Sequence, residues 1–450
     1  MSDNPIAPAT PGASISPAQQ ALAADTQEEL TPTGTIRTPV KGKYITFLLL
    51  AMLGAYVALV APIGFSLSLR VQELAPSNVE VLGYIIGIGA IVTTITGPLI
   101  GMWSDRTRSR LGRRRQFALG GAVVGLIGLA VIATAGTVPI VLVGWVITSV
   151  GWVSTMNSLI QSQADRLPEA QYGKVAGMTG FVQMAAPVVG VGLAASFVGN
   201  NFLVFLVPGA VGLILTLCWF LFIPERDTRD AQFTDAMSVR HVLSNMVFNP
   251  RKYPDFAWNW LARLLFMMGV TFSTTFTTLF FASRLSDGGQ VSDIGGVIVI
   301  LSMVSLVVTG VGALAGGFLS DKLGRRKIFV LASGIVYTIG ALVLAFGGSN
   351  FGILIAGSAL TGLALGVFSS VDQALVLTVL PEKDTAAGRY LGINGYSTSI
   401  AQAVAPLMAA PLILIGVTGD EKNYGLLFIV AAVLTIVAGI IVQLKVRSVR

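Results

Sequence analysis

Long apolar runs separated by short polar breaks dominate the chain from residue 44 onward. A helix that crosses a membrane needs about 20 mostly apolar residues, because a hydrocarbon core about 30 Å thick is divided by a rise of 1.5 Å per residue. The pattern therefore predicts an all-α membrane protein with twelve transmembrane helices. These are predicted at residues 44–69, 80–103, 115–136, 138–161, 175–197, 202–223, 257–283, 292–319, 327–347, 351–380, 389–416 and 424–444.

More polar segments divide this pattern into units. Residues 1–43 are rich in Pro, Ala, Ser and Thr and lack apolar periodicity, which predicts a disordered tail. Residues 224–256 are polar with balanced charge, which predicts a linker between two six-helix halves, 44–223 and 257–444. Residues 445–450 form a second short tail in this interpretation.

The composition agrees with a bilayer as the solvent. The 450 residues are 54% hydrophobic and only 11% charged, and the mean hydropathy is +0.78. A net charge of +7 can indicate a nucleic-acid partner, but here the bases lie in short loops between apolar runs. Such loops orient a membrane protein. We therefore expect the lipid bilayer as a partner and no nucleic acid.

The distribution of lysine and arginine predicts the orientation. With the N-terminus inside the cell, all of the 29 lysines and arginines fall on the cytoplasmic side except Arg70, Arg284, Lys422 and Arg263, the last of which lies within a predicted span. Cytoplasmic loops carry an excess of these residues. The sequence thus predicts a multi-pass plasma-membrane protein, bacterial in type, with both termini in the cytoplasm.

Enzyme motifs do not appear in the sequence. It has no nucleotide-binding loop, zinc motif or nucleophile elbow, its one histidine, His241, lies in the predicted linker, and its one cysteine, Cys218, lies in an apolar run. We expect no enzymatic activity, no metal and no cofactor, and ATP is not expected to be the direct energy source.

One motif occurs twice, half a chain apart, at the end of the second predicted helix of each half. In each copy a Gly is followed by an Asp, a base, a second Gly and further bases. The copies are Gly101, Asp105, Arg106, Gly112 and Arg113, and then Gly317, Asp321, Lys322, Gly324 and Arg325. A second repeated segment, Leu-Pro-Glu at 167–169 and 380–382, supports duplication into parallel repeats. In transporters built this way the substrate site lies at the repeat interface.

With these turns, residues 44–444 resemble the major facilitator superfamily of transporters. The resemblance implies two pseudo-symmetric halves that rock around a central site, a working monomer, and a gating role for the ten motif residues. The longer first turn, 104–115, and Asp372-Gln373 resemble glycoside-pentoside-hexuronide and sucrose transporters. The carboxylates of the melibiose-type sodium site are absent from 81–103 and 138–161.

The motif carboxylates predict a latch. An ionised Asp105 or Asp321 can accept hydrogen bonds from amides at a neighbouring helix start and can pair with an arginine, and both contacts must break when the cytoplasmic side opens. The alternative is that the bases of the turn only hold the loop inside the cell.

Asp372 is the carboxylate well inside a predicted span. A charge at the bilayer centre costs roughly 2.5–3.5 kcal/mol on insertion scales, so this carboxyl is expected to hold a proton or to face a partner. We interpret it as a proton-coupling residue. The alternative is a permanent ion that bonds Ser369 or pairs with Arg263. Arg263 in turn is a candidate for substrate binding, or it snorkels to the interface.

A stripe on the fourth predicted helix suits a sugar, because it combines aromatic rings with hydroxyls at 3- and 4-residue spacing. Several amides in predicted spans are further candidates, since buried amides need partners or a wet cavity. The candidate substrate-binding residues are Trp145, Ser149, Trp152, Asn157, Gln161, Gln183, Arg263, Gln373, Asn394 and Gln402. The alternative is ordinary packing between helices, with hydroxyls bonded to their own backbone.

The sequence thus favours a secondary transporter that imports a sugar or a similar small polar metabolite together with a proton. One alternative is proton-driven efflux of drug-like compounds, for which the Met, Phe and Gly of the spans would line an adaptable cavity. A transporter-derived receptor is a second alternative, although its tail and linker lack the features of signalling modules.

Overall fold

The computed structural model describes residues 29–30, 36–37, 39–225, 228–229, 247–286, 288–417 and 421–447. Most of the predicted tail 1–43 and much of the predicted linker 224–256 lie outside these residues. Within the tail, the strands β1 (Glu29–Leu30) and β2 (Ile36–Arg37) pair in an antiparallel manner, and the first helix already begins at Gly42.

The first half consists of six long helices at the predicted places. The first is continuous from α1 through a π-helical turn, Pro62–Ser66, into α2. A short 3-10 turn at Pro76–Asn78 leads to the second. The helices are α1 (Gly42–Ala61), α2 (Leu67–Leu74), α3 (Val81–Arg106), α4 (Arg113–Thr134), α5 (Val138–Arg166), α6 (Glu169–Ala195) and α7 (Asn201–Phe222).

The second half repeats this order. Its first span is broken into α8 and α9, which meet at an angle of 44°, and a 3-10 turn at Val291–Ile294 precedes α10. The helices are α8 (Pro254–Thr275), α9 (Thr277–Leu285), α10 (Gly295–Leu323), α11 (Arg326–Phe346), α12 (Phe351–Val379), α13 (Lys383–Leu412) and α14 (Tyr424–Lys445).

Each of the twelve predicted spans corresponds to a helix or a helix pair in the structure, and one of them is more polar than the others. Among the described residues ten helices are long and apolar enough to cross a membrane, and the bent pair α8 and α9 makes eleven. The remaining predicted span, 389–416, lies in the helix α13, which is 30 residues long but too polar to count among them. It carries Arg389, Asn394, Tyr396 and Gln402, and its residues Tyr396, Ser399 and Gln402 line a polar cavity instead of facing lipid.

The two halves pack their helices in the same way, which confirms the repeat. In the first half α4 packs on α5, and in the second half α11 packs on α12. Close approach of α4 and α5 depends on glycine, because a Cβ placed on Gly151 would lie 2.3 Å from the backbone nitrogen of Gly125. Small residues allow such contact between membrane helices, where packing and not water exclusion drives association.

The halves meet through α3 with α13 and through α6 with α10. We call the end of the bundle that carries the turns 107–112 and 324–325 the basic face, and the opposite end the far face. At the far face the contact is tight, since a Cβ on Gly83 would lie 2.5 Å from the carbonyl oxygen of Pro406.

Polar contacts join the halves at the far face. The side chain of Gln72 donates to the carbonyl oxygen of Gly289 at 2.7 Å and accepts from the backbone nitrogen of Val291 at 2.8 Å. Lys422 Nζ lies 3.0 Å from Glu80 Oε2, and the two side chains are only 8% and 14% exposed. The far face is therefore closed.

Toward the basic face the same helix pairs separate. A Cβ on Gly173 or Gly177 of α6, or on Gly388 or Gly392 of α13, would meet no atom within 4 Å. The molecule thus has a cleft between its halves that opens at the basic face and ends at the closed far face.

Candidate functional site

A polar cavity of about 530 Å³ lies between the halves, on the side of the basic face. Three helices line it, two from the first half and one from the second. The lining residues are Ala90, Thr93, Thr94, Gly97, Pro98, Gly101, Met102 and Asp105 of α3, Val153, Asn157 and Gln161 of α5, and Tyr396, Ser399 and Gln402 of α13. Amides, hydroxyls and a carboxylate around one cavity suit a ligand with several hydroxyl groups.

Small residues of α3 bring the amides of α5 to the cavity wall. A Cβ on Gly101 would lie 2.9 Å from Gln161 Nε2, and one on Gly97 would lie 3.4 Å from Asn157 Nδ2. The motif residue Gly101 therefore also has a local packing role, because a larger side chain would displace the amide of Gln161.

A second cavity of about 420 Å³ lies nearer the far face and is rich in hydroxyls, and none of these hydroxyls was among the predicted site residues. Its polar lining comes from α8 and α9, α10, α11 and α12, namely Ser273, Thr274, Thr277, Thr278, Ser302, Ser305, Thr309, Tyr337, Ser358 and Thr361. The signal in the sequence was the 3- and 4-residue spacing of hydroxyls at 302–309. Because Ser273, Ser302 and Ser358 donate to backbone carbonyl oxygens of their own helices, these hydroxyls offer mainly acceptor lone pairs.

In the first motif turn the central base is Arg114, not Arg106 or Arg113. Its side chain is only 5% exposed and lies 2.5 Å from Asp105 Oδ1 and 2.9 Å from Asp165 Oδ2. It also donates to Gln161 Oε1 at 2.7 Å. Arg114 therefore joins the ends of α3 and α5, and Asp105, which is 47% exposed, sits at the edge of the polar cavity.

The amides at the start of α4 are held by Glu225, not by Asp105. Glu225 Oε2 accepts from the backbone nitrogens of Arg114 at 2.9 Å and Arg115 at 3.0 Å. A carboxylate at a helix N-terminus satisfies free amides and faces the positive end of the helix dipole. The latch inferred for Asp105 is thus divided between two carboxylates, and Glu225 brings in the chain after α7.

Gly112 makes this arrangement possible. Its φ of +85° and ψ of 164° lie in a region that only glycine adopts readily. A Cβ there would also lie 2.3 Å from Glu225 Oε2.

We expect Gly112→Ala to lower the free energy of unfolding by about 2 kcal/mol, through backbone strain and loss of the Glu225 contact. Thermal unfolding of purified protein checks this. Gly136→Ala is the matched control, since Gly136 also lies in a loop after a spanning helix and a Cβ there meets no atom within 4 Å. Equal midpoints for the two variants would contradict the role assigned to Gly112.

The second motif turn is similar but looser. Arg326, the counterpart of Arg114, lies 3.2 Å from Asp321 Oδ1 and donates to the carbonyl oxygen of Ala374 at 3.0 Å and to the hydroxyl of Thr378. Gly324 ends α10 in the left-handed conformation, with φ of +60°. Lys322 and Arg325 lie exposed on the basic face, as does Arg106 in the first half, and Gly317 lies within α10 opposite Ser370.

Asp372 is 1% exposed and pairs with Arg263, which also donates to Thr398 Oγ1 at 3.3 Å. The structure thus agrees with the alternative in which Asp372 pairs with Arg263. The side chain of Arg263 does not extend to the membrane interface. Two buried amides lie one helical turn from these residues, Asn259 before Arg263 on α8 and Asn394 before Thr398 on α13. The pair therefore lies in a buried polar cluster of α8, α12 and α13, and Arg263 is not among the residues that line the two cavities.

The aromatic stripe of α5 lies outside the polar cavity. Trp152 is fully buried against Gly125 and Gly212, and Trp145, at 2% exposure, packs on Gly89. Ser149 donates to the carbonyl oxygen of Trp145 at 2.8 Å. These residues therefore pack between helices and do not line the polar cavity, because the glycines of α3, α4 and α7 leave room for the indole rings.

The remaining candidate amides are divided among different surroundings. Asn157, Gln161 and Gln402 line the polar cavity. Gln183 and Gln373 are exposed and lie outside both cavities, and Asn394 is buried. Of the ten candidates for substrate binding, the structure brings only these three into the polar cavity.

One carboxyl at the basic face has a perturbed proton affinity. Tyr253 donates to Glu382, and Lys252 Nζ lies 3.2 Å from Glu382 Oε1. The hydrogen bond from Tyr253 and then that from Lys252 lower the pKa of the Glu382 carboxyl. These contacts join the end of the linker to the loop between α12 and α13.

Comparison with known proteins adds three kinds of finding. The family model of the Major Facilitator Superfamily matches residues 44–310 and 290–449. Curated relatives include the minor myo-inositol transporter IolF of Bacillus subtilis, 28% identical over 127 residues that make up 28% of each chain. The glucose transporter GlcP of Staphylococcus epidermidis is 45% identical over 69 residues, 15% of each chain. The aligned segments span less than a third of these relatives.

Solved structures match over almost the whole chain. A mutant of the nucleoside transporter NupG has a TM-score of 0.73 at 13% identity, over 90% of this chain and 100% of that one. An inward-facing, unoccupied bacterial homologue of the human lysosomal transporter Spinster has a TM-score of 0.69 at 14% identity, over 91% and 98% of the two chains. At such identities the likeness describes the fold.

Proposed function

The chain belongs to the major facilitator superfamily, and from this premise we propose that it moves a sugar or a similar small polar metabolite across a membrane. The observation that carries the proposal is the polar cavity between the halves, walled by Asn157, Gln161 and Gln402. Amides at fixed positions recognise hydroxyl groups by giving and accepting hydrogen bonds at once. The aligned segments of curated myo-inositol and glucose transporters support the same class of substrate.

Transport requires the cleft between the halves to open in turn at the basic face and at the far face. In this structure the cavity opens to the basic face, while Glu80 and Lys422 help to close the far face. Access from the other side requires the far face to open and the basic face to close, so α3 and α13 must move relative to each other. Rigid rocking of two repeats around a central site accomplishes this, and one chain contains the whole site, so the proposed unit is a monomer.

We place the basic face in the cytoplasm of a bacterial cell. The turns 107–112 and 324–325 lie on this face, as do the start of the first helix at Gly42 and the end of the last helix at Lys445. Cytoplasmic loops carry an excess of lysine and arginine. The cavity is then open to the cytoplasm, the state from which an imported solute is released.

We propose that a proton drives the cycle through Asp372. When Asp372 takes up a proton it becomes neutral, and the attraction to the Arg263 guanidinium is lost. Arg263 lies on α8, and Thr398, its other partner, lies on α13, one of the helices that line the polar cavity. Protonation therefore changes how α8, α12 and α13 are held together, which couples the proton to the movement of the second half.

A ligand panel tests the proposal. Thermal unfolding of the purified protein is followed with monosaccharides, disaccharides and inositols and with lipophilic cations, at pH 5.5 and pH 7.5. A ligand that binds the folded state raises the unfolding midpoint by mass action. We expect at least one polyol to raise it, with a pH dependence that Asp372→Asn removes.

The variant Ser369→Ala is the matched control, since it changes a polar side chain of α12 outside the ion pair and should keep the pH dependence. Stabilisation by lipophilic cations alone would contradict a sugar substrate and favour efflux. Polyol binding with the same pH dependence in Asp372→Asn would retain the substrate class and reject the proton site.

A further inference from the structure

A long apolar groove of about 850 Å³ runs beside the polar cavity, between α3 on one side and α8 and α13 on the other. It extends from Arg251 at the basic face to Ile95 and Ile400 in the middle portions of α3 and α13. Two indole rings, those of Trp258 and Trp260, form part of its wall. Its size falls in the range of cavities that hold a small organic ligand, about 300–1,000 Å³.

The groove and the polar cavity share one thin wall. Thr94, Pro98 and Tyr396 line both of them. A polar cavity thus lies one residue layer away from a groove that is apolar and set among membrane-spanning helices. Hydrocarbon is the bulk neighbour of such helices, and Ile95 on the groove wall is 61% exposed. An acyl chain matches this surface, because it buries apolar area without leaving backbone or polar groups unsatisfied.

The rim of the groove at the basic face is positively charged. Arg251 lines the groove and is exposed, and its guanidinium makes no ion pair with any residue that the structure describes. Lys445 Nζ lies 5.6 Å from the centre of the Trp258 ring, which adds a second cation beside the groove wall. The nearby Lys252 differs, since it is paired with Glu382. Bases at a membrane surface attract anionic phospholipids.

We propose that this groove binds one anionic phospholipid of the surrounding bilayer, with an acyl chain along Trp258 and Ile95 and the phosphate at Arg251. The chain then seals the side of the polar cavity against the hydrocarbon while the basic face is open.

The bound lipid also favours one state of the protein. Closure of the basic face must bring α3 toward α8 and α13, and this movement narrows the groove. A ligand shifts an equilibrium by its different affinities for the two states. The anionic lipid therefore stabilises the state that is open at the basic face, and it leaves the groove when that face closes.

Quenching of tryptophan fluorescence tests the site directly. The protein is reconstituted in vesicles of phosphatidylcholine that contain increasing fractions of brominated phosphatidylglycerol, or of brominated phosphatidylcholine. Trp103→Phe is the background, because Trp103 is 68% exposed and any lipid would quench it. Trp145, Trp152 and Trp219 are at most 2% exposed, so Trp258 and Trp260 provide the signal.

We expect half-maximal quenching at a roughly fivefold lower fraction of the anionic lipid than of the zwitterionic one. Arg251→Gln should remove this difference, whereas Lys252→Gln, which changes a neighbouring base outside the groove, should retain it. Ala257→Phe, which fills the groove from α8, should reduce quenching by both lipids.

Equal quenching by the two lipids in the Trp103→Phe protein would show an ordinary annular lipid and overturn the proposal. Loss of the preference in Lys252→Gln as large as in Arg251→Gln would overturn it too, since a diffuse surface charge would then be responsible. Absence of quenching by either lipid would mean that another part of the chain fills the groove, and the proposal would again fail.

Discussion

Arg114→Gln is expected to destabilise the protein and to abolish transport. The guanidinium lies 2.5 Å from Asp105 Oδ1 and 2.9 Å from Asp165 Oδ2, and its side chain is 5% exposed. Removing one partner of a buried ion pair costs about 3–5 kcal/mol, and since both carboxylates are partly exposed we expect roughly 2–3 kcal/mol here. The loss appears as a lower midpoint of thermal unfolding and as lost solute uptake at equal amounts of reconstituted protein.

Two further variants distinguish the specific contacts of Arg114 from the total positive charge of the turn. Arg114→Lys retains the charge, but an ammonium group cannot bind two carboxylates and Gln161 at once as the planar guanidinium does. The stability of this variant should therefore lie between those of the wild type and Arg114→Gln. Arg110→Gln removes an exposed base from the same turn and should behave as the wild type. If Arg110→Gln and Arg114→Gln had the same effect, the turn would act only through its total charge, and the role assigned to Arg114 would be wrong.

The ion pair of Glu80 and Lys422 is expected to hold the far face closed. The pair joins the two halves, its side chains are 14% and 8% exposed, and Lys422 also donates to the carbonyl oxygen of Ser77 at 2.9 Å. Lys422→Gln leaves a poorly solvated carboxylate without its cation in the closed state alone. We therefore expect at least about a tenfold shift, about 1.4 kcal/mol, toward a state with an open far face.

Spin labels on the far-face loops of the two halves measure this shift. Cysteines are introduced at Thr137 and Ser349, which are exposed, in a Cys218→Ser background. The wild type should show one short distance, and Glu80→Gln or Lys422→Gln should add a longer one. The double variant Glu80→Lys with Lys422→Glu should restore the short distance in part, because the pair is remade while the contact with Ser77 is lost.

Arg284→Gln is the matched control for this experiment. Arg284 is also a base at the far face, but its guanidinium lies over the ring of Phe280 in its own half, 5.8 Å from the ring centre. A long-distance population in Arg284→Gln as large as in Lys422→Gln would mean that far-face charge in general, and not this pair, holds the halves together.

The spans could be read from the sequence because each is set by local hydropathy. Helices such as α4, Arg113–Thr134, need only their own residues to satisfy backbone polar groups in lipid. The helix α13 shows the limit of this rule. Part of it lines the protein interior, so polar side chains such as Gln402 replace apolar ones.

Pairing within the site was harder to predict because it depends on which faces of helices meet. The sequence presented three consecutive bases, 113–115, and nothing local distinguishes Arg114 from its neighbours. Only the packing of α4 on α5 buries it beside Asp165. The pairing of Asp372 with Arg263 was one of the alternatives, since few charged groups in the spans were available as partners.

The aromatic stripe of α5 shows a different limit. Rings at helical spacing predict a face, and Trp152 does lie on one, but spacing does not tell what the face contacts. Glycines on other helices, Gly125 and Gly212, create the space that Trp152 fills. The hydroxyl-rich second cavity was missed for the opposite reason, since its residues come from several helices and no single stretch contains it.

Solute exchange across a membrane tests the central proposal most directly. Purified protein is reconstituted in vesicles loaded with one unlabelled sugar or inositol, and entry of the same labelled solute is followed. We predict entry well above that of protein-free vesicles for at least one polyol, and its loss in Asp105→Asn at equal reconstituted protein. Exchange of lipophilic cations without exchange of any sugar or inositol would contradict the proposal.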